Sequence, residues 1–208
     1  MSGFFRAKVG SQSVALPLVP VNNEITIALL ITVDHGVKFM ATAGRELAEK
    51  LRPFNPEIVV TAATMGIPVA LEVTRHLELD DYLVLQKQAK VHLRQALSEP
   101  VRAITNDSSG ALLLDPARVV ALAGKRVAFV DDVLSTGSSV TAALRLLDRA
   151  GAHVVAIGAL VTEGTQWEEA LGDRASLVHA LGAIPLFPTT PAPVGEGVGD
   201  DWEILGVD

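Results

Sequence analysis

The sequence predicts an α/β fold: a mainly parallel sheet flanked by helices, with a small N-terminal cap and a long excursion from the sheet. Three observations carry this. From Ile58 onward, short β-branched runs alternate with helix-like stretches, the order that βαβ units produce. The segment from Gln88 to Gly124 is too long for an ordinary connection between parallel strands and has only weak helical periodicity. The first quarter is rich in Val, Ile, Leu and Pro between Val14 and Val33, looks extended, and contains a single convincing helix.

In chain order, Val37 to Leu51 reads as a helix stopped by Pro53. Ile58–Ala62 reads as a buried strand, Pro68–Leu77 as a helix, and Tyr82–Gln86 and Val127–Val130 as the second and third strands. Ser138 and Ser139 are good capping residues for the next helix, whose Val140, Leu144 and Leu147 share a face and which Gly151 closes. Val154–Leu160 supplies a further strand, and the Pro- and Gly-rich stretch from Pro188 to Asp201 is expected to wrap the surface or to be partly mobile. With 208 residues and 49% apolar content the chain can bury one full core, so a single domain over 1–208 is expected. Hood or tail elements at 1–36 and 165–208 would surround a core of about 37–164.

Composition narrows the chemistry. The chain has no cysteine, which excludes disulfides and thiolate metal sites and permits a reducing compartment. The longest apolar run, Ile25 to Val33 interrupted by Thr26 and Thr32, is too short to span a bilayer and follows Asn22-Asn23-Glu24 instead of a basic segment. A cytoplasmic chain without signal peptide or membrane anchor is therefore expected. A net charge of -7 argues against indiscriminate nucleic-acid binding, so an anionic ligand must be held locally.

The local features that could do so follow the third strand. Ser135-Thr136-Gly137-Ser138-Ser139 offers successive backbone N–H groups, hydroxyls and a helix N-terminus, which suit a phosphate monoester. Asp131 and Asp132 just before it would repel a phosphate unless they face hydroxyl donors, such as a ribose, or a magnesium ion. A sugar phosphate satisfies both halves. Neighbouring strand residues point to opposite faces, so the two carboxylates can serve one ligand only where strand geometry breaks. A Walker loop needs Gly-Lys-Ser/Thr and a dinucleotide fingerprint needs Gly-x-Gly-x-x-Gly; neither pattern is here.

The run Val127-Ala-Phe-Val-Asp-Asp-Val-Leu-Ser-Thr-Gly-Ser-Ser139 resembles the phosphoribosyl pyrophosphate (PRPP) motif of type I phosphoribosyltransferases. The resemblance covers about residues 30 to 170, and its segment order is closest to the adenine and xanthine enzymes. It implies that Asp131 and Asp132 bind the ribose hydroxyls and that Leu134, Ser135, Thr136, Gly137, Ser138 and Ser139 bind the 5-phosphate. It implies a pyrophosphate loop at Ala63-Thr64-Met65-Gly66, where Met65 stands in place of the Arg or small hydroxyl residue of relatives. Lys87 and Lys90 resemble the family's basic cluster at the pyrophosphate and would compensate.

The same resemblance makes the segment after Lys90 a flexible catalytic loop, with Arg94 and Glu99 as participants, closing over a ribosyl oxocarbenium-like transition state. From Gln86 to Arg102 the cations Lys87, Lys90, Arg94 and Arg102 face the single anion Glu99. Mg2+ is the implied cofactor, held mainly through PRPP with Asp131 and Asp132 as possible ligands. The base is expected at Asp34 in the cap and at Glu163-Gly164 after the Val154–Leu160 strand. Ser135 stands where hypoxanthine-guanine relatives have Asp, and Gly164 where 6-oxopurine enzymes usually place Lys, which favours adenine. Xanthine or another 6-oxopurine remains the alternative, as does a PRPP-sensing protein without catalysis. Partners implied are PRPP, a purine base and a second copy in a homodimer.

The five histidines, at positions 35, 76, 92, 153 and 179, lack metal-ligand spacing. Trp167 is expected in the core, at an interface, or beside the base segment.

Overall fold

A computed structural model describes residues 3–88, 96–101 and 110–189. Its centre is a parallel five-stranded sheet of β4 (Ile58–Ala62), β5 (Tyr82–Leu85), β8 (Arg126–Leu134), β9 (His153–Glu163) and β10 (Val178–Ile184). The strand order is β10-β9-β8-β4-β5. β4 is buried at every position, as a strand covered on both faces must be. Helix α1 (Gly36–Leu51) and helix α2 (Gly66–His76) cover one face, where Leu47, Leu51, Val69 and Val73 pack on Val59, Ala128 and Val130. Helix α4 (Ser138–Arg149) covers the other, where Leu144 and Leu147 pack on Val60, Val127 and Phe129. α1 and α2 cross closely at Gly44, since a Cβ there would stand 2.2 Å from that of Glu72.

The excursion expected between Gln88 and Gly124 is an antiparallel pair, β6 (Leu97–Val101) and β7 (Gly110–Leu114), followed by helix α3 (Pro116–Leu122). It leaves the sheet at β5, where Gln86 and Leu113 exchange backbone hydrogen bonds of 2.9 and 2.8 Å. Leu112 and Leu114 anchor it in the α4 core.

The cap is an antiparallel sheet of β1 (Phe4–Val9), β2 (Gln12–Pro20), β3 (Ile25–Ala28) and β11 (Phe187–Pro188). It docks on β10, where the Gly10 N–H donates to Leu181 O over 3.0 Å. Gly182 lies so close to Lys8 that a Cβ would stand 2.0 Å from its carbonyl oxygen.

Several expected boundaries shift. β10 is an edge strand of the core sheet, although it lies in the 165–208 stretch expected to be hood or tail; its half-buried residues do not alternate clearly. The Pro188–Asp201 tail lies outside the described residues from 190 on. Among the described residues no helix is long and apolar enough to cross a membrane.

Candidate active site

The sheet order places the crevice. From β4 the chain crosses by α2 to β5 on one side, and later reaches β8 on the other side, whose α4 crossover lies on the opposite face. The loops after β4 and β8 therefore diverge, which opens a ligand crevice beyond the carboxyl ends of these two strands.

β8 does not end at the acids, as the sequence suggested, but pairs with β9 as far as Leu134 and Thr162. What stops is its pairing with β4, last seen at Thr61 and Val130. Val127, Phe129 and Leu134 belong to one core cluster while Ala128, Val130 and Val133 belong to the other. The alternation thus slips by one across Asp131 and Asp132, and the carboxylates are not forced to opposite faces. The Asp132 N–H donates to Asp131 Oδ1 over 3.0 Å. Burial first, and the adjoining Asp132 second, push the Asp131 carboxyl well above the usual carboxylate range, and Lys87 partly counteracts them.

Across the crevice stands the β4 loop. Its Ala63–Thr64 peptide is cis, and the Ala63 N–H donates to Leu85 O over 2.9 Å. Gly66 opens α2 against the acid pair: a Cβ there would stand 2.2 Å from Thr61 Oγ1 and 2.6 Å from Asp131 Oδ1. Only glycine fits. Thr32, fully buried in the 3₁₀ turn Thr32–His35, donates its hydroxyl to Met65 O over 2.9 Å. The sequence marked Thr32 only as a break in an apolar run, yet a polar residue there requires a buried partner.

The loop after β8, expected to hold a phosphate, forms a concavity lined by Asp131 and by residues 133–140. Gly137 adopts φ 78°, a left-handed conformation that favours glycine, and is itself the residue capping α4. Ser138 and Ser139 are the first helical residues, not caps: Gly137 has no side chain to cap with, the Ser138 N–H donates a long 3.4 Å bond to Thr136 Oγ1, and Thr136 Oγ1 and Ser138 Oγ pair at 2.9 Å. The first-turn N–H groups after Ser138, without a side-chain acceptor, suit an anion. Helix α5 (Gln166–Leu171) backs the loop, with Ala170 Cβ 2.7 Å from where a Cβ on Gly137 would lie.

At the end of β9, Glu163 is buried. Burial raises its pKa, and the nearby Ser135 hydroxyl partly offsets this. Gly164 has φ 59°, and the Trp167 indole N–H donates to its carbonyl over 3.2 Å, so Trp167 joins the β9 end to the phosphate loop. Asp34 is exposed in the turn that Thr32 anchors.

The structure thus sets Gly66 against Asp131, which with Val133–Val140 lines the concavity; Asp132 adjoins Asp131, Lys87 is near enough for its charge to act on Asp131, and Glu163 ends the neighbouring strand. Glu99 is not among them. Its carboxylate is paired with Arg149 Nη1 at 2.7 Å, and that guanidinium also donates to Ser98 O, because β6 packs at the C-terminal end of α4. That end lies roughly 16 Å along the helix from Ser138. Lys90 and Arg94 lie outside the described residues.

Fold and crevice together define a doubly wound α/β protein with an acid pair and an open helix N-terminus at its switch point. The model of the phosphoribosyl transferase domain matches residues 36–178, and the chain belongs to that family. It is 33% identical over 128 residues to a hypoxanthine/guanine phosphoribosyltransferase of Methanothermococcus okinawensis, a match covering 60% of this chain and 66% of that one. It is 32% identical over 143 residues to a xanthine phosphoribosyltransferase of Chloroflexus aurantiacus, covering 66% of each. The chain thus spans just under two thirds of the length of these two curated relatives. The fold is shared with adenine phosphoribosyltransferase from Thermoanaerobacter pseudethanolicus at TM-score 0.64 and 20% identity, over 82% of this chain and 95% of that one.

Proposed function

We propose that the protein transfers the phosphoribosyl group from PRPP to a purine, adenine in the first place, giving a nucleotide and pyrophosphate. The observation that carries this is the meeting of Gly66 with Asp131 beside the open N-terminus of α4. It brings an amide loop, an acid pair and an anion-suited loop to one crevice, the groups that a pyrophosphate, a ribose and a 5-phosphate require. Residues 135–139 hold the 5-phosphate and fix the sugar. Ionised Asp131 and Asp132 accept hydrogen bonds from the ribose hydroxyls and place negative charge beside the ribose as positive charge develops at C1. The base nitrogen bonds to C1 as the bond to the pyrophosphate oxygen breaks, and its proton passes to solvent or to the departing pyrophosphate, with Ala63–Gly66 and Lys87 around the leaving group.

Two adjoining carboxylates fit Mg2+, which binds through one or two carboxylates plus substrate phosphates, and among the described residues no cluster of three or more metal-ligating side chains exists. Asp131 and Asp132 would hold the ion jointly with PRPP, and when bound it would offset the charge of the departing pyrophosphate.

Adenine is favoured because Glu163 and the Gly164 carbonyl accept hydrogen bonds and suit an exocyclic amine better than an exocyclic oxygen. Asp34 closes the base side from the cap. A second reading, a PRPP-sensing protein without transferase activity, draws support from Met65 in the pyrophosphate loop and from Glu99 being engaged by Arg149. Cytoplasmic location and a homodimer belong to the same proposal through the family resemblance. The test is to incubate the protein with Mg2+, PRPP and each of adenine, hypoxanthine, guanine and xanthine, following pyrophosphate and nucleotide. Adenine nucleotide is expected; PRPP binding without consumption of any base favours the sensor.

A further inference from the structure

We infer that Thr32, a cap residue that touches no substrate, positions the pyrophosphate site by holding the Met65 carbonyl and thereby aiming the Gly66 N–H into the crevice. The inference rests on the reading of Ala63–Gly66 as the pyrophosphate loop. Thr32 is fully buried, and its hydroxyl donates to Met65 O over 2.9 Å, with Met65 Sδ 3.7 Å away. The peptide joining Met65 to Gly66 is trans and planar, so its C=O and N–H point in opposite directions. Fixing the carbonyl toward the cap therefore fixes the Gly66 N–H away from it. That N–H belongs to the first turn of α2 and has no intrahelical acceptor, and Gly66 itself abuts Asp131 Oδ1.

Met65 supplies no cation, so recognition here falls on backbone amides, whose strength depends on direction. As the residue preceding α2, Met65 also offers its carbonyl to the first helical bond, and the Thr32 hydroxyl, a second donor to the same oxygen, fixes the tilt of the peptide toward the cap. It also ties the turn that carries Asp34 to the β4 loop, which links the base side of the crevice to the pyrophosphate side.

The test compares Thr32→Val and Thr32→Ala, which remove the hydroxyl, with Thr32→Ser, which keeps it. Calorimetry measures Mg2+-pyrophosphate and, separately, ribose 5-phosphate, and melting curves follow stability. The expected result is a pyrophosphate affinity about tenfold weaker in whichever of the first two folds, unchanged ribose 5-phosphate affinity, and recovery in Thr32→Ser. Unchanged pyrophosphate affinity overturns the inference, as does equal weakening of both ligands, the mark of a merely structural role. If the wild-type protein binds neither ligand, the reading of the site fails and this inference with it.

Discussion

Gly66 and Asp131 meet across the mouth of the crevice, with the Asp131 Oδ1 oxygen 2.6 Å from the place a Cβ on Gly66 would occupy. They belong to different crossovers, α2 after β4 and the strand before α4, so this contact joins the two halves of the sheet at the point where ligands enter.

Gly66→Ala must push either the acid or Thr61 Oγ1, itself 2.2 Å from that Cβ position and fully buried. Loss of about 1–3 kcal/mol of stability is expected, the usual scale for overpacking. PRPP affinity should fall as well. Urea titration and calorimetry check the two effects separately.

Asp131→Asn has opposite effects on stability and binding. Burial, reinforced by Asp132, raises the folded-state pKa of this carboxyl. A group raised in this way stabilises the fold fully below its unfolded pKa, near 4, and loses that contribution as pH rises through the folded value. The wild-type protein should therefore lose stability from the ordinary carboxylate range upward. The amide variant should lack this slope and melt higher at neutral pH, while binding PRPP about ten- to hundredfold more weakly for want of an ionised acceptor. A lower melting temperature at pH 7 would show that Asp131 stabilises the fold in its charged form.

Gly137→Ala forces a Cβ onto a residue with φ 78° and against Ala170 Cβ at 2.7 Å and Trp167 Cα at 3.1 Å. A stability loss of about 1–3 kcal/mol is expected. Because α5 must shift, ribose 5-phosphate affinity should fall while Mg2+-pyrophosphate affinity holds. Paired titrations distinguish this from general unfolding.

The central strands were legible because Ile58–Ala62, broken only by Thr61, and Val127–Val130 are apolar runs, and α4 because Val140, Leu144 and Leu147 share a face before Gly151. The acid pair and its loop were legible as adjacent residues whose chemistry made sense only together. Long-range contacts were not. Nothing local to Glu99 announced Arg149, 50 residues away, and nothing near Thr32 announced Met65, 33 residues away. β10 was missed because an edge strand with half-buried residues lacks clear alternation. β8 was read as too short because its pairing with β9 outlasts its pairing with β4, a property of the sheet and not of the segment.

Glu163→Gln tests base choice. Replacing one acceptor oxygen by an NH2 donor places a donor where adenine offers its amine and hypoxanthine its oxygen. The ratio of kcat/KM for adenine over hypoxanthine should drop about tenfold or more. An unchanged ratio would remove Glu163 from the base site and leave recognition to backbone groups.

The acid pair must face the ribose of PRPP if the crevice holds this ligand at all. Titrating Mg2+-PRPP into the wild-type protein and into Asp132→Ala, with melting curves to show that both are folded, decides it. Saturable binding to the wild type and its loss in the variant is the expected result; no binding to the wild type, or equal binding to both, would contradict it.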